Sequence, residues 1–264
     1  MRRLEKSAAA ATGEPRRPRQ DGVVFAFVAV LALATWAYLA WMDWGMRNMG
    51  VGADMLLMPR MQAWDAIDLA LVFLMWALMM IAMMAPSVVP AAAAVSRVTN
   101  ATEGTHRLTP SAFVAGYLIA WIAFSVGATL VHWGLLNAAL VSPMMESSTP
   151  ILSGLILIGA GAYQFTPFKR SCLRRCQSPL WILFECSGWS VTDALKGGVR
   201  LGAFCVGCCW ALMALLFVLG VMNLTWVLVL AIYVLVEKSM PHHAWIPWLA
   251  GIALMSWGLW LLAR

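Results

Sequence analysis

Seven apolar runs, at about 23–42, 67–90, 110–135, 150–167, 199–221, 223–236 and 245–262, decide what this chain can fold into. Most approach the roughly 20 residues that a helix needs to cross a hydrocarbon core. The charged side chains are gathered between the runs, and only 11% of the 264 residues are charged while 62% are hydrophobic; a soluble domain carries about a quarter charged residues. The pattern predicts an all-α, polytopic transmembrane helix bundle of six to seven spans. The sixth run is short and is separated from the fifth only by Met222-Asn223-Leu224-Thr225, so the two are expected to form either a tight hairpin or a helix with a re-entrant tail. Residues 1–22 read as a basic tail without ordered structure, and 23–264 as one transmembrane domain.

Lysine and arginine set the expected orientation. Arg2, Arg3, Lys6, Arg16, Arg17, Arg19, Arg97, Arg107, Lys169, Arg170, Arg174, Arg175, Lys196, Arg200 and Lys238 place 15 of 18 basic residues on one side, leaving Arg47, Arg60 and Arg264 on the other. The positive-inside rule puts the N-terminus in the cytoplasm. The net charge of +6 is then a matter of topology and does not indicate a nucleic-acid partner; the lipid bilayer is the expected one. The polar, Pro/Arg-rich start followed by a span-length run predicts an uncleaved anchor in place of a signal peptide. Trp36, Trp41, Trp44, Trp64, Trp245, Trp248 and Trp257 fall near span ends, as interfacial aromatics do.

Sulfur is unevenly distributed. Eleven of the eighteen methionines lie between Met42 and Met84, and all six cysteines lie between Cys172 and Cys209. Thioether and thiolate donors prefer soft ions such as Cu(I). The first outer loop carries Met42, Met46 and Met49, then Met55, Met58 and Met61. Spacings of three and four put thioethers on one face of a helix or turn. Thioethers bind Cu(I) without deprotonation and escape disulfide formation, which suits an oxidising compartment that holds no cysteine of this chain. The competing reading is adaptable apolar packing at the membrane surface. Asp43, Asp54, Asp65 and Asp68, with His132 and Glu146, form a second outer set, suited to a harder ion or a proton relay, or to plain helix capping.

Met75, Met79 and Met83 follow an i, i+4, i+8 series in the second span, with Met80 and Met84 beside it, ending at Ala85-Pro86. On one helix this stripe offers a relay of thioethers. Proline at its end frees a carbonyl and predicts an opening of the helix.

The inner side holds the thiols. Cys172 and Cys176 are one turn apart among Lys169, Arg170, Arg174 and Arg175, cations that favour thiolate. Cys205, Cys208 and Cys209 sit inside the fifth span, with Cys205 and Cys209 at i, i+4 and Met213 continuing that line. Thiols on the reducing side are not expected to be structural disulfides. Their spacing departs from a zinc ribbon, so zinc is less favoured than copper. Cys186 reads as a small buried hydrophobe. His242 and His243, near Glu237 and Lys238, offer nitrogen ligands, whereas Glu237 and Lys238 themselves read as an interfacial ion pair. Gly154, Gly159, Gly161, Gly198 and Gly202 predict small faces for close helix approach, and Pro179–Trp189 predicts an interfacial segment.

Met79-Met80-Ile81-Ala82-Met83-Met84-Ala85-Pro86, Tyr163-Gln164-Phe165-Thr166-Pro167 with Lys169, Cys172 and Cys176, Cys205-x2-Cys208-Cys209-Trp210, and Gly220-Val221-Met222-Asn223 with Glu237-Lys238 resemble the signature blocks of a prokaryotic family of predicted metal-binding integral membrane proteins. The resemblance covers roughly residues 60–240. It implies a multi-pass protein of the bacterial cytoplasmic membrane with a metal site, and it implies no reaction.

The leading expectation is Cu(I) binding and delivery. Outer methionines capture the ion, the stripe carries it inward, and Cys172, Cys176, Cys205, Cys208 and Cys209 hold it, with a metallochaperone or a metalloenzyme under assembly as partner. Two other readings compete with it. One is a thiol-disulfide electron carrier in which Cys205 and Cys208 cycle. The other is a membrane enzyme or assembly subunit with a metal centre built from Asp65, Asp68 and His132.

Overall fold

The computed structural model describes residues 19–47, 65–101, 108–140, 149–178, 190–221, 223–240 and 245–264. Every regular element among them is a helix. In chain order these are α1 (Arg19–Arg47), α2 (Ala66–Ala101), α3 (Thr109–Asn137), α4 (Pro150–Gln164), α5 (Pro167–Gln177), α6 (Val191–Ala214), α7 (Leu216–Leu219), α8 (Leu224–Ser239) and α9 (Trp245–Leu262). Five helical stretches are long and apolar enough to cross a membrane, and the bent α4–α5 pair makes a sixth if it counts as one span.

Helix boundaries follow local chemistry. Asp65 precedes α2, and its backbone N–H donates to Asp68 Oδ2 at 3.1 Å, one half of a capping box. α6 starts at Val191, well before the predicted 199, because Ser190 and Asp193 cap it: the Asp193 N–H donates to Ser190 Oγ, and that hydroxyl donates to Asp193 Oδ2 at 2.7 Å. The Ser-x-x-Asp signature for that start is present in the sequence. α7 ends at Gly220, whose φ of 86° suits a residue without Cβ. Asn223 then caps α8 by accepting from Thr225 N at 3.2 Å. The fifth and sixth runs are therefore separate helices joined by a glycine turn. At 16 residues α8 is about 24 Å long, shorter than a hydrocarbon core of about 30 Å.

Pro86 does not open α2, contrary to expectation. The helix runs through Pro86 and Pro90 to Ala101, with Ala91, Ala92 and Val95 buried beyond the prolines. Pro86 has no N–H for the carbonyl of Ala82 four residues earlier, and the indole Nε1 of Trp36 in α1 donates to that carbonyl at 3.1 Å. A side chain of the neighbouring helix thus satisfies the group that proline leaves over. Trp36→Phe is expected to cost about 1–3 kcal/mol, the cost of leaving a buried acceptor without its donor, read as a lower unfolding midpoint in detergent.

Two glycine seams hold the bundle. In α3–α6, a Cβ on Gly116 would collide with the Leu195 carbonyl, and one on Gly198 with the Phe113 carbonyl. In α4–α9, Gly154 faces the Gly258 backbone and Gly161 faces Gly251 and Met255. Backbones approach this closely only where side chains are absent. Gly159 meets open space and takes no part in the seam predicted for it. α2 lies in the centre, packed by α1, α3 and α8.

Candidate metal centre

The turn between α4 and α5 brings a second source of thiols to α6. α4 ends at Gln164, Phe165 closes its last turn, and Thr166 caps α5 by accepting from Lys169 N, with Pro167 at the first helical position. The two helices meet at 64°. Tyr163 OH donates to the Gly207 carbonyl of α6, and the Cys172 sulfur lies against Gly207. Lys169, 1% exposed, pairs with Glu237 Oε1 of α8 at 2.6 Å and also donates to Gln164. Gln177 Nε2 donates to the Glu237 carbonyl at 2.9 Å. These contacts clamp α5 between the middle of α6 and the end of α8.

Cys176 is delivered to the thiols of α6 as a result. Its Sγ is 4.0 Å from Cys208 Sγ, which is 3.2 Å from Cys209 Sγ and donates to the Cys205 carbonyl at 3.1 Å. Cys205 lies within interaction range of Cys176, Cys208 and Cys209. Spacings of three and four residues put the three α6 thiols on one helical face. Cys205, Cys208 and Cys209 are buried, whereas Cys176 is half-buried. Cys172 belongs to the Gly207 contact and lies outside this hydrogen-bonded sulfur group.

The spacing states what metal loading would require. With a metal–sulfur bond of about 2.3 Å, the Cys176–Cys208 separation of 4.0 Å subtends roughly 120°, an opening suited to trigonal coordination. The 3.2 Å between Cys208 and Cys209 subtends only roughly 90° at that same bond length. Among the described residues no group of three or more His, Cys, Asp or Glu side chains already has metal-cage geometry. The thiols bond to one another, and side-chain rotation must open the Cys208–Cys209 pair before an ion is held by three of them.

A ring of polar side chains closes on Cys205. Lys238 Nζ donates to Cys205 Sγ at 2.8 Å, to Ser87 Oγ at 3.3 Å and to Met84 Sδ at 3.7 Å. Tyr117 OH is 2.9 Å from Cys205 Sγ and 2.8 Å from Ser87 Oγ. Glu237 and Lys238 therefore do not form the ion pair expected of them. Adjacent helical residues point about 100° apart, and each finds a partner on a different helix. Sequence reasoning missed Tyr117 and Ser87. The available signal was a tyrosine within an apolar run, whose hydroxyl needs a partner when buried.

The remaining candidates fall into separate places. Met75, Met79, Met80, Met83 and Met84 are all buried, none more than 6% exposed, so the stripe faces the bundle interior. It rises about 13 Å along α2 and ends with Met84 beside the Lys238 ammonium. Met213, one turn beyond Cys209, is fully buried. At the other end, Trp76 Nε1 donates to His132 Nδ1 at 3.3 Å, and the imidazole stands edge-on to Phe217 at 5.6 Å between centroids. Asp68 serves the start of α2, so Asp68 acts in a cap and His132 in an aromatic cluster. Met42 and Met46 lie on α1. Met49, Asp54, Glu146, Cys186, His242, His243 and the segment 179–189 lie outside the described residues.

A family model described as PpoB2, copper chaperone, matches residues 73–261, a stretch that contains α3 to α8, most of α2 and nearly all of α9. No curated protein and no solved structure matches the chain.

Proposed function

The chain belongs to the PpoB2 copper chaperone family, and on that premise we propose that it is an integral membrane protein that holds Cu(I) on Cys176, Cys205, Cys208 and Cys209 and passes it to a metalloenzyme under assembly. The observation that carries this reading is the approach of Cys176 on α5 to the α6 thiols, at 4.0 Å from Cys208. Thiolate sulfur is a soft donor matched to a soft d10 ion, and a site assembled from two helices opens when one of them moves. Cys176 is the partly exposed member of the group, so ligand exchange with a partner begins there.

Met75, Met79, Met80, Met83 and Met84 form the interior approach to this site in the same reading, and Met213 extends it along α6. Cu(I) is cargo, and thioethers bind it more weakly than thiolates, so the stripe conducts and the thiols retain. Met42, Met46 and Met49 are the capture residues at the far side, with Cys172 as a neighbouring thiol that accepts the ion in transit. The apolar length of the helices supports insertion in the cytoplasmic membrane of a bacterium, with the N-terminus inside as the distribution of arginine and lysine requires.

Metal analysis tests the proposal. The protein is purified in mild detergent under anaerobic, reducing conditions, loaded with Cu(I), and compared with a variant carrying Ser at Cys172, Cys176, Cys205, Cys208 and Cys209. Stoichiometric copper in the wild type and its loss in the variant is the expected result. A wild type that takes up no copper, while its thiols cycle with a disulfide reagent, would replace this reading with thiol-disulfide electron transfer.

A further inference from the structure

The Lys238 ammonium sits inside the thiol group. Its three N–H donors are matched to three acceptors, Cys205 Sγ, Ser87 Oγ and Met84 Sδ, which is the full capacity of an ammonium. Ser87 and Tyr117 tie it from the far side, because Tyr117 OH bridges Ser87 Oγ and Cys205 Sγ at 2.8 and 2.9 Å. The carboxylate next to it in sequence, Glu237, is occupied by Lys169 at 2.6 Å. A fixed positive charge beside a proposed cation site needs explanation, since it opposes the binding of any cation.

We propose that Lys238 is the specificity-determining residue of this site, a built-in positive charge that admits a monovalent soft ion and penalises a divalent one. The proposal rests on the reading that the thiol group is the Cu(I) site. Coulomb energy scales with the product of the charges, so the ammonium repels Zn(II) twice as strongly as Cu(I) at the same position. Thiolates alone make a site for both ions. Zinc is the harder competitor to exclude, because both metals accept tetrahedral or trigonal sulfur and softness separates them only in part. The attraction of Lys238 to the thiolates is common to both metals and cancels in the ratio of their affinities. What remains is one unit of charge repulsion, directed against the divalent ion.

The geometry explains why the charge is lysine and why it stays. The side chain reaches from the last turn of α8 across to α6, and the Ser87–Tyr117 bridge holds the nitrogen when a metal takes the Cys205 sulfur. Ser87 Oγ also donates to the Met84 carbonyl at 2.8 Å, so this anchor is itself fixed to α2.

The test is a ratio of affinities. Full-length wild type, Lys238→Leu, Lys238→Gln and Lys238→Arg are titrated anaerobically in detergent with chelator-buffered Cu(I), Ag(I) and Zn(II). The Cu(I)-to-Zn(II) affinity ratio is expected to fall at least about tenfold in the Leu and Gln variants and to stay within about threefold in the Arg variant. The Ag(I)-to-Cu(I) ratio stays put throughout, because both ions are monovalent. If both neutral variants fail to fold, Ser87→Ala with Tyr117→Phe, which removes the anchor that holds the ammonium once a metal takes the Cys205 sulfur, lowers the same ratio. An unchanged Cu(I)-to-Zn(II) ratio in folded variants that still bind Cu(I) overturns the role of Lys238 and leaves the copper site standing. A wild type that binds no Cu(I) removes the copper reading itself.

Discussion

Cys176→Ser alone is expected to lower Cu(I) affinity by more than about a hundredfold, whereas Cys172→Ser is expected to leave it within about threefold. The two residues are one turn apart on α5 and look equivalent in the sequence. Cys176 Sγ stands 4.0 Å from Cys208 Sγ, and Cys172 packs on Gly207. Loss of a group that only orients a metal ligand costs about 10–100-fold, so loss of a ligand should exceed that range. Cys176 is also the only thiol of the group that α6 does not supply, and serine at that position removes the one sulfur that α5 adds to it. The measurement is competition with a Cu(I) chelator under anaerobic conditions. Equal losses in both variants would mean that metal uptake rearranges α5, and would discard the four-thiol assignment.

Lys169→Met is expected to destabilise the fold by about 3–5 kcal/mol, the cost of leaving one member of a buried ion pair without its partner. Lys169 and Glu237 are each 1% exposed at the side chain, with 2.6 Å between Nζ and Oε1. Lys169 also serves Gln164, and Gln177 holds the Glu237 carbonyl. The single substitution strands the Glu237 carboxylate. Lys169→Met combined with Glu237→Leu removes both charges, and replacement of a whole buried pair by apolar side chains is often neutral or better. The double variant is therefore expected to recover most of the loss in detergent unfolding. Because this pair clamps α5 to α8, Lys169→Met should also weaken Cu(I) binding. A stability change below about 1 kcal/mol would show that the pair is hydrated or easily replaced.

The two results bear on one arrangement. α5 is short, mostly polar and strongly bent from α4, and apart from its narrow buried face at Cys172 and Leu173 it depends on polar contacts to remain in place. Lys169 holds it there, Tyr163 at the end of α4 and Cys172 on α5 both meet Gly207, and Cys176 is carried to the thiols as a consequence. The same ion pair that stabilises the fold thereby sets the position of a proposed metal ligand.

The helical architecture is legible in the amino-acid order, because lipid-length apolar runs and caps are local properties. Thr166-Pro167, Asn223 and Ser190-x-x-Asp193 carry helix-start signals, two of which hydropathy overrides: the apolar run 150–167 passes over the first, and hydropathy alone puts the start of α6 too late. Spacing within a helix is equally readable: the α6 thiols share a face because they are three and four residues apart, and the α2 methionines line one side for the same reason. Proline misleads at Pro86, since local rules report that a carbonyl is freed but not that Trp36 of another helix takes it.

Amino-acid order by itself determined which residues are soft donors, on which helix each stands, and how the cations distribute along the chain. Only tertiary structure decided that Cys176 joins Cys208 while Cys172 does not, that Glu237 pairs with Lys169, and that Lys238 enters the thiol group with Ser87 and Tyr117. The physical reason is range. Periodicity and capping act over one or two turns of a single helix, whereas these contacts join residues 30 to 151 positions apart. They depend on the bend at Phe165-Thr166 and on glycine seams that set how closely the helices approach.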